Sequence, residues 1–134
     1  MRGPATPGRE AGWILMDDLL ADPGIMLGVI TVGKCSQGIM LLQAKDAIGA
    51  GHDNDPAYLL AAQLFTAELN LAAGSETCPA SNKYIYDAQL LLERIGFDGT
   101  GNYMGPPKVS PDIATANLLT DQLVSFNAGR LCVP

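Results

Sequence analysis

Apolar residues recur along this chain at helical spacing, and one stretch stands apart from the rest. From Pro56 to Gly74, PAYLLAAQLFTAELNLAAG, nearly the whole circumference is apolar. Only Gln63, Thr66 and Asn70 break it, at the i, i+3, i+7 spacing of one helical face. A helix with so narrow a wet face has to be covered on most sides, which makes it the expected core. Asp55 as cap and Pro56 at the first helical position fix its start, and Gly74 its end.

The same pattern predicts the neighbouring elements. Residues 1–11 are rich in Pro and Gly, lack periodicity and read as a tail. Gly12 to Leu20 reads as a short amphipathic helix with Asp17 and Asp18 outward, stopped at Asp22-Pro23-Gly24, and Trp13 as a lid on the core. The stretch PGIMLGVITVGK has β-branched residues and no second strand-like run to pair with, so a buried irregular connection or a short helix is expected. Ser36 to Ile48 is the next helix, with Ser36 as cap and Gly49 and Gly51 ending it. A further helix runs from about Lys83 to Ile95, capped by Ser81 or Asn82, with Ile85, Ala88, Leu91, Leu92 and Ile95 on one face. Ser110-Pro111-Asp112 repeats the cap-plus-proline device and opens the last helix, Asp112 to Asn127, closed by Gly129.

Residues 62–69 and 116–123 look alike, and each follows a helix ending in Ile-Gly. This suggests two related helical hairpins, 36–74 and 82–129. The expected fold is therefore all-α: an antiparallel four-helix bundle over a single domain, 12–134, with an extra short N-terminal helix.

Composition narrows the function classes. The chain has 134 residues, enough for a core without metal or multiple disulfides. Fourteen acidic against eight basic residues give a net charge of −6, which argues against nucleic acid and anionic membranes. The longest apolar run, Ile25 to Val32, is far shorter than the roughly 20 residues a bilayer needs. The opening residues show no apolar signal-peptide region; the chain is then cytoplasmic, or the mature part or a fragment of something longer.

Topology says more about the three cysteines than their number does. In an up-down-up-down arrangement Cys35, Cys78 and Cys132 all fall at one end. Cys78–Cys132 is the preferred disulfide, because it pins a C-terminal tail, with Cys35–Cys78 and three reduced thiols as the alternatives. The opposite end carries the loops GHDND and FDGTGNY. There Asp53, Asn54, Asp55, Asp98 and Asn102 offer oxygen ligands to a hard cation such as calcium, although the spacing is not that of an EF-hand and Asp55 already serves as a cap. His52 is the only histidine, and the bundle separates it from the cysteines by helices about 20 Å long, against Cys-His catalysis. Cys-X-X-Cys, phosphate-binding glycine fingerprints and zinc-ligand spacings are missing. Phe97, Tyr103 and Met104 close the bottom of the bundle or, alternatively, offer an aromatic contact surface.

LAAQLFTAELNLAAG followed by a cysteine, a helix ending IGFDGTG and a last helix ending NAG-x-L-C resemble a poorly characterised helical module of long secreted or cell-surface bacterial proteins. The helix motif spans Leu60 to Asn70 and the similarity covers roughly residues 12–132. The aromatic opening of such modules is reduced to Gly12-Trp13. The resemblance implies an extracellular, disulfide-bearing, non-catalytic module, with no active-site residues to carry over. The expected role is structural or interactive, through a protein partner or self-association. The alternatives are a small ligand- or calcium-binding protein using the acidic end and, third, a small enzyme.

Overall fold

The computed structural model describes Leu20 and residues 24–132, so the expected tail at 1–11 and, apart from Leu20, the expected helix at 12–20 lie outside the described residues. The described chain runs β1 (Ile25–Leu27), β2 (Ile30–Val32), α1 (Cys35–Leu42), α2 (Pro56–Ala72), α3 (Pro79–Arg94) and α4 (Pro111–Asn127).

All three long helices begin with an extended capping residue followed by proline: Asp55–Pro56, Cys78–Pro79 and Ser110–Pro111. Proline at that position loses nothing, since the first-turn N–H groups have no intrahelical acceptor. Asp55 and Ser110 add a side-chain oxygen that accepts the backbone N–H two residues on.

The oily helix is the core. In α2, Ala57, Tyr58, Leu60, Ala61, Leu64, Phe65 and Ala67 are fully covered. They pack against Leu91 and Leu92 of α3, Leu119, Leu123 and Phe126 of α4, and Leu27 and Val32 of the hairpin. The polar stripe predicted on α2 is met by one residue of α4. Asn127 donates to both the backbone oxygen and the side-chain oxygen of Gln63, each at 3.0 Å, and accepts from Asn70 at 3.1 Å. Thr66 returns its hydroxyl to the Ala62 carbonyl. So the wet face is half-buried, and at Gln63 and Asn70 it forms a polar seam with α4.

Helix directions follow from the contacts at their ends. Arg94 at the end of α3 makes a two-pronged pair with Asp112 at the start of α4, at 2.9 and 3.0 Å. Cys78, before α3, is bonded to Cys132, after α4. These two helices therefore run antiparallel, while the end of α4 meets the second half of α2.

Several expectations are corrected. The chain is mostly helical but not all-α: the stretch 24–33 is a β-hairpin, with Ile25 opposite Val32, Met26 opposite Thr31 and Leu27 opposite Ile30. Its two strands lie within one apolar run, split by the turn Gly28-Val29. Gly28 has φ +57°, and a Cβ there would meet Leu92 and the Phe97 carbonyl at 3.1 Å, so the turn presses on the end of α3 in a conformation that favours glycine. The helix expected to reach Ile48 stops at Leu42, because Ala44 turns left-handed at φ +53° and the chain folds back on itself. The helix expected from Lys83 starts at Pro79; Ser81, read as a cap, instead accepts the Cys78 N–H at 3.0 Å from inside the first turn. With α1 at 8 residues and α3 at 16, the likeness of two equal helical hairpins ends at α1, and among the described residues a regular four-helix bundle gives way to three long helices, one short one and a hairpin.

The disulfide is the expected one. Cys78 and Cys132 are joined with their Cα atoms 5.5 Å apart. Cys35 does not share that pole: α1 spans only about 12 Å, and the adjacent Ser36 and Gln37 line a groove with Asp98 and Gly99 at the opposite end.

Candidate functional site

That opposite end is assembled from two loops, 43–55 and 95–110, brought together at the start of α2. In the first loop Lys45 bridges Gly51, and the turn between them is wound around Asp46. One oxygen of its carboxylate accepts the Ile48 and Ala50 N–H groups at 3.0 and 2.9 Å; the other meets His52 Nε2 at 2.9 Å. Asp46 is only 6% exposed. The His52 hydrogen bond, with the two amides, holds its carboxyl below the usual value against the opposing effect of burial. An ionised carboxylate only accepts, so Nε2 of His52 carries the proton. The imidazole lies flat on Tyr58, ring centroids 4.3 Å apart and planes 8° from parallel.

Tyr58 links the loops. Its ring is edge-on to Phe97 at 5.1 Å, and its hydroxyl donates to the Gly101 carbonyl at 2.7 Å. Burial pushes that hydroxyl's pKa upward. Phe97 and Met104 are buried and Tyr103 is half-buried, so the aromatic loop closes this end of the core, as the first of the two expectations had it.

Of the oxygen ligands named from the sequence, Asp55 and Asp98 have other employment. Asp55 is completely buried, and its carboxylate accepts three backbone N–H groups: Ala57 and Met104 at 3.0 Å and Tyr103 at 2.8 Å. Asp98 accepts from the Thr100 hydroxyl at 2.6 Å, the Thr100 N–H at 3.0 Å and the Tyr103 hydroxyl at 2.6 Å. The Thr100 bond and then the Tyr103 bond lower its pKa. Asn102 turns its amide to the Gly105 carbonyl, and Asp53 and Asn54 are exposed. Among the described residues no three His, Cys, Asp or Glu side chains converge as a metal site requires. The loop thus shares its acids among its own amides and hydroxyls.

The Asp46–His52 pair escaped the sequence reading. Its only signal was an acid and a histidine six positions apart across Gly49 and Gly51. An aspartate orienting a histidine also occurs in hydrolase triads, but the partners of this histidine are Asp46, the Ala44 carbonyl and the Tyr58 ring. None of these is a nucleophile.

Beside this loop lies an open groove of about 260 Å³. Ile30 and Val32 of β2 form one wall, Ser36, Gln37, Met40 and Leu41 of α1 the other. Lys45, Asp46, Ala47, Asp98 and Gly99 close one end. Gln37 anchors the entrance by accepting the Gly33 and Lys34 N–H groups, both at 3.0 Å. At the far pole a more polar hollow of about 280 Å³ is lined by Asn70, Glu76, Asn127 and Cys132 among others. No protein family, curated protein or solved structure matches the chain.

Proposed function

We propose that this chain is a non-catalytic interaction module of a secreted or cell-surface protein. The carrying observation is the Cys78–Cys132 disulfide, which ties the C-terminal turn to the start of α3 across 54 positions. Disulfides form and persist in oxidising compartments and are rare where glutathione keeps thiols reduced. Support for an interaction role comes from the open groove between β2 and α1, held on a rigid scaffold of helices, hairpin and saturated loops. The resemblance of Leu60 to Asn70 to surface-protein modules points the same way. No described helix is long and apolar enough to cross a membrane, so anchoring would come from elsewhere.

The test is fractionation of the producing cells followed by peptide mapping without reduction. The expected result is protein in the extracellular or surface fraction with the Cys78 and Cys132 peptides joined. Protein confined to the cytoplasm with both thiols reduced overturns the reading. The volume and apolar walls of the groove favour a second reading, a small-ligand-binding protein that uses the acidic end.

A further inference from the structure

The hairpin has two flanks, and the molecule treats them differently. Leu27 and Ile30 close a two-residue turn, so the next pair, Met26 and Thr31, is of the non-hydrogen-bonded kind, with N–H and C=O groups pointing away from the partner strand. On the β1 flank those groups are met by α3: Gln89 donates to the Met26 carbonyl at 2.8 Å, and its side-chain oxygen accepts the Gly28 N–H at 3.1 Å. One glutamine stands in for a neighbouring strand there. On the β2 flank the N–H and C=O of the exposed Thr31 have no hydrogen-bond partner among the described residues. Ile30 and Val32, on either side of Thr31, line the groove whose other wall is α1.

The geometry points to β-strand addition: an extended segment of a partner protein pairs with β2 in the groove between β2 and α1 and places a lysine or arginine side chain in the cavity. The backbone supplies affinity through Thr31, and the cavity supplies selectivity. Ile30, Val32, Met40 and Leu41 suit the methylene stem of a long basic side chain. At the closed end Asp98 and Asp46 outnumber the single cation, Lys45. The second oxygen of Asp98 has no partner among the described residues, and the chain as a whole carries −6. Charge complementarity therefore favours a cationic guest. This inference names the partner class for the interaction-module reading and rests on it. The localisation experiment above tests that reading separately from the binding experiment here.

The probes are four capped peptides, Val-Thr-X-Val-Thr with X as Lys, Arg, Leu or Glu, titrated into the 15N-labelled full chain. The expected result is saturable shifts of the Thr31, Gly33, Met40 and Ala47 amides with Lys and Arg, weaker binding with Leu and none with Glu. Thr31→Pro removes the outward N–H while sparing the β1–β2 ladder, since proline is tolerated on an open edge. It should weaken the Lys peptide about tenfold or more, and Met40→Trp, which fills the cavity, should do the same. Melting curves of both variants confirm that they fold. Absence of saturable binding by every peptide overturns the inference, as does a Leu or Glu peptide binding as well as Lys. Unchanged binding by Thr31→Pro overturns the strand pairing. A dimer in sedimentation that Thr31→Pro dissolves, with no peptide bound, assigns the edge to a second copy and overturns the inference too.

Discussion

Asp55 accepts the backbone N–H of Tyr103 at 2.8 Å across 48 positions of sequence, from a carboxylate that also caps its own helix at Ala57 and holds Met104. A single side chain thereby starts the central helix and fastens the closing loop to it. Asp55→Ala leaves three amide groups in a water-poor site without acceptors. At roughly 1 kcal/mol or more for each, the variant should lose about 3 kcal/mol or more in urea unfolding. A loss below about 1 kcal/mol, within the range of a solvated cap, would show that water reaches the site.

Asp46 sets an acid limit. Its carboxyl is held below the ordinary value of 3.8, first by His52 and further by the Ala50 and Ile48 amides, so the folded chain binds that proton less readily than the unfolded one. The stabilisation is complete above the ordinary value and disappears as pH falls through the lower, folded one. Melting temperature should therefore drop below about pH 4. Asp98 and Asp112 shift in the same direction and add to the drop. Asp46→Asn isolates its share: the variant should melt lower at pH 7 and show a shallower fall in acid. Parallel curves for the two proteins would refute the assignment.

The disulfide encloses 54 positions, for which loop-closure entropy gives about 4 kcal/mol at room temperature. Replacing Cys78 and Cys132 together by serine should lower unfolding stability by about that amount. The lost order should centre on residues 128–132, seen as faster amide exchange there than in α2. Exchange that accelerates equally throughout would mean the bond holds the whole fold rather than the tail.

Calcium should have no effect. All three donors to the Asp55 carboxylate are amides of the fold, and Asp98 offers only its second oxygen, far fewer ligands than the roughly six to eight that calcium takes. Millimolar calcium is expected to leave the melting temperature unchanged within about 1 °C. A rise that Asp98→Ala abolishes would restore the cation site considered from the sequence.

The long helices were legible because their signals are local. Asp55-Pro56 and Ser110-Pro111 announce two helix starts, and the stripe of Gln63, Thr66 and Asn70 marks the face that meets Asn127. Chain order brings Cys78 and Cys132 to one end when their helices run antiparallel, and the pinning of a C-terminal tail makes them the preferred pair over Cys35–Cys78. The hairpin was hidden because each strand is three residues long and its turn, Gly28-Val29, lacks the usual Asn-Gly or Asp-Gly signature. The early end of α1 was hidden for another reason. Lys45 to Ile48 continues a helical pattern, but the chain has already turned at Ala44, and Asp46 collects amides and His52 from beyond the turn. The acids of the closing loop looked like ligands because a sequence displays oxygen atoms without showing which amides will claim them.

Gln89 has a consequence for solubility. Short ribbons with both rims bare can polymerise, each copy templating the next on either side. Here the amide of Gln89 seals one rim from within the same chain, so growth in that direction is blocked before any second molecule arrives. Among the described residues, the other rim is then the place left where a further strand can pair with the hairpin.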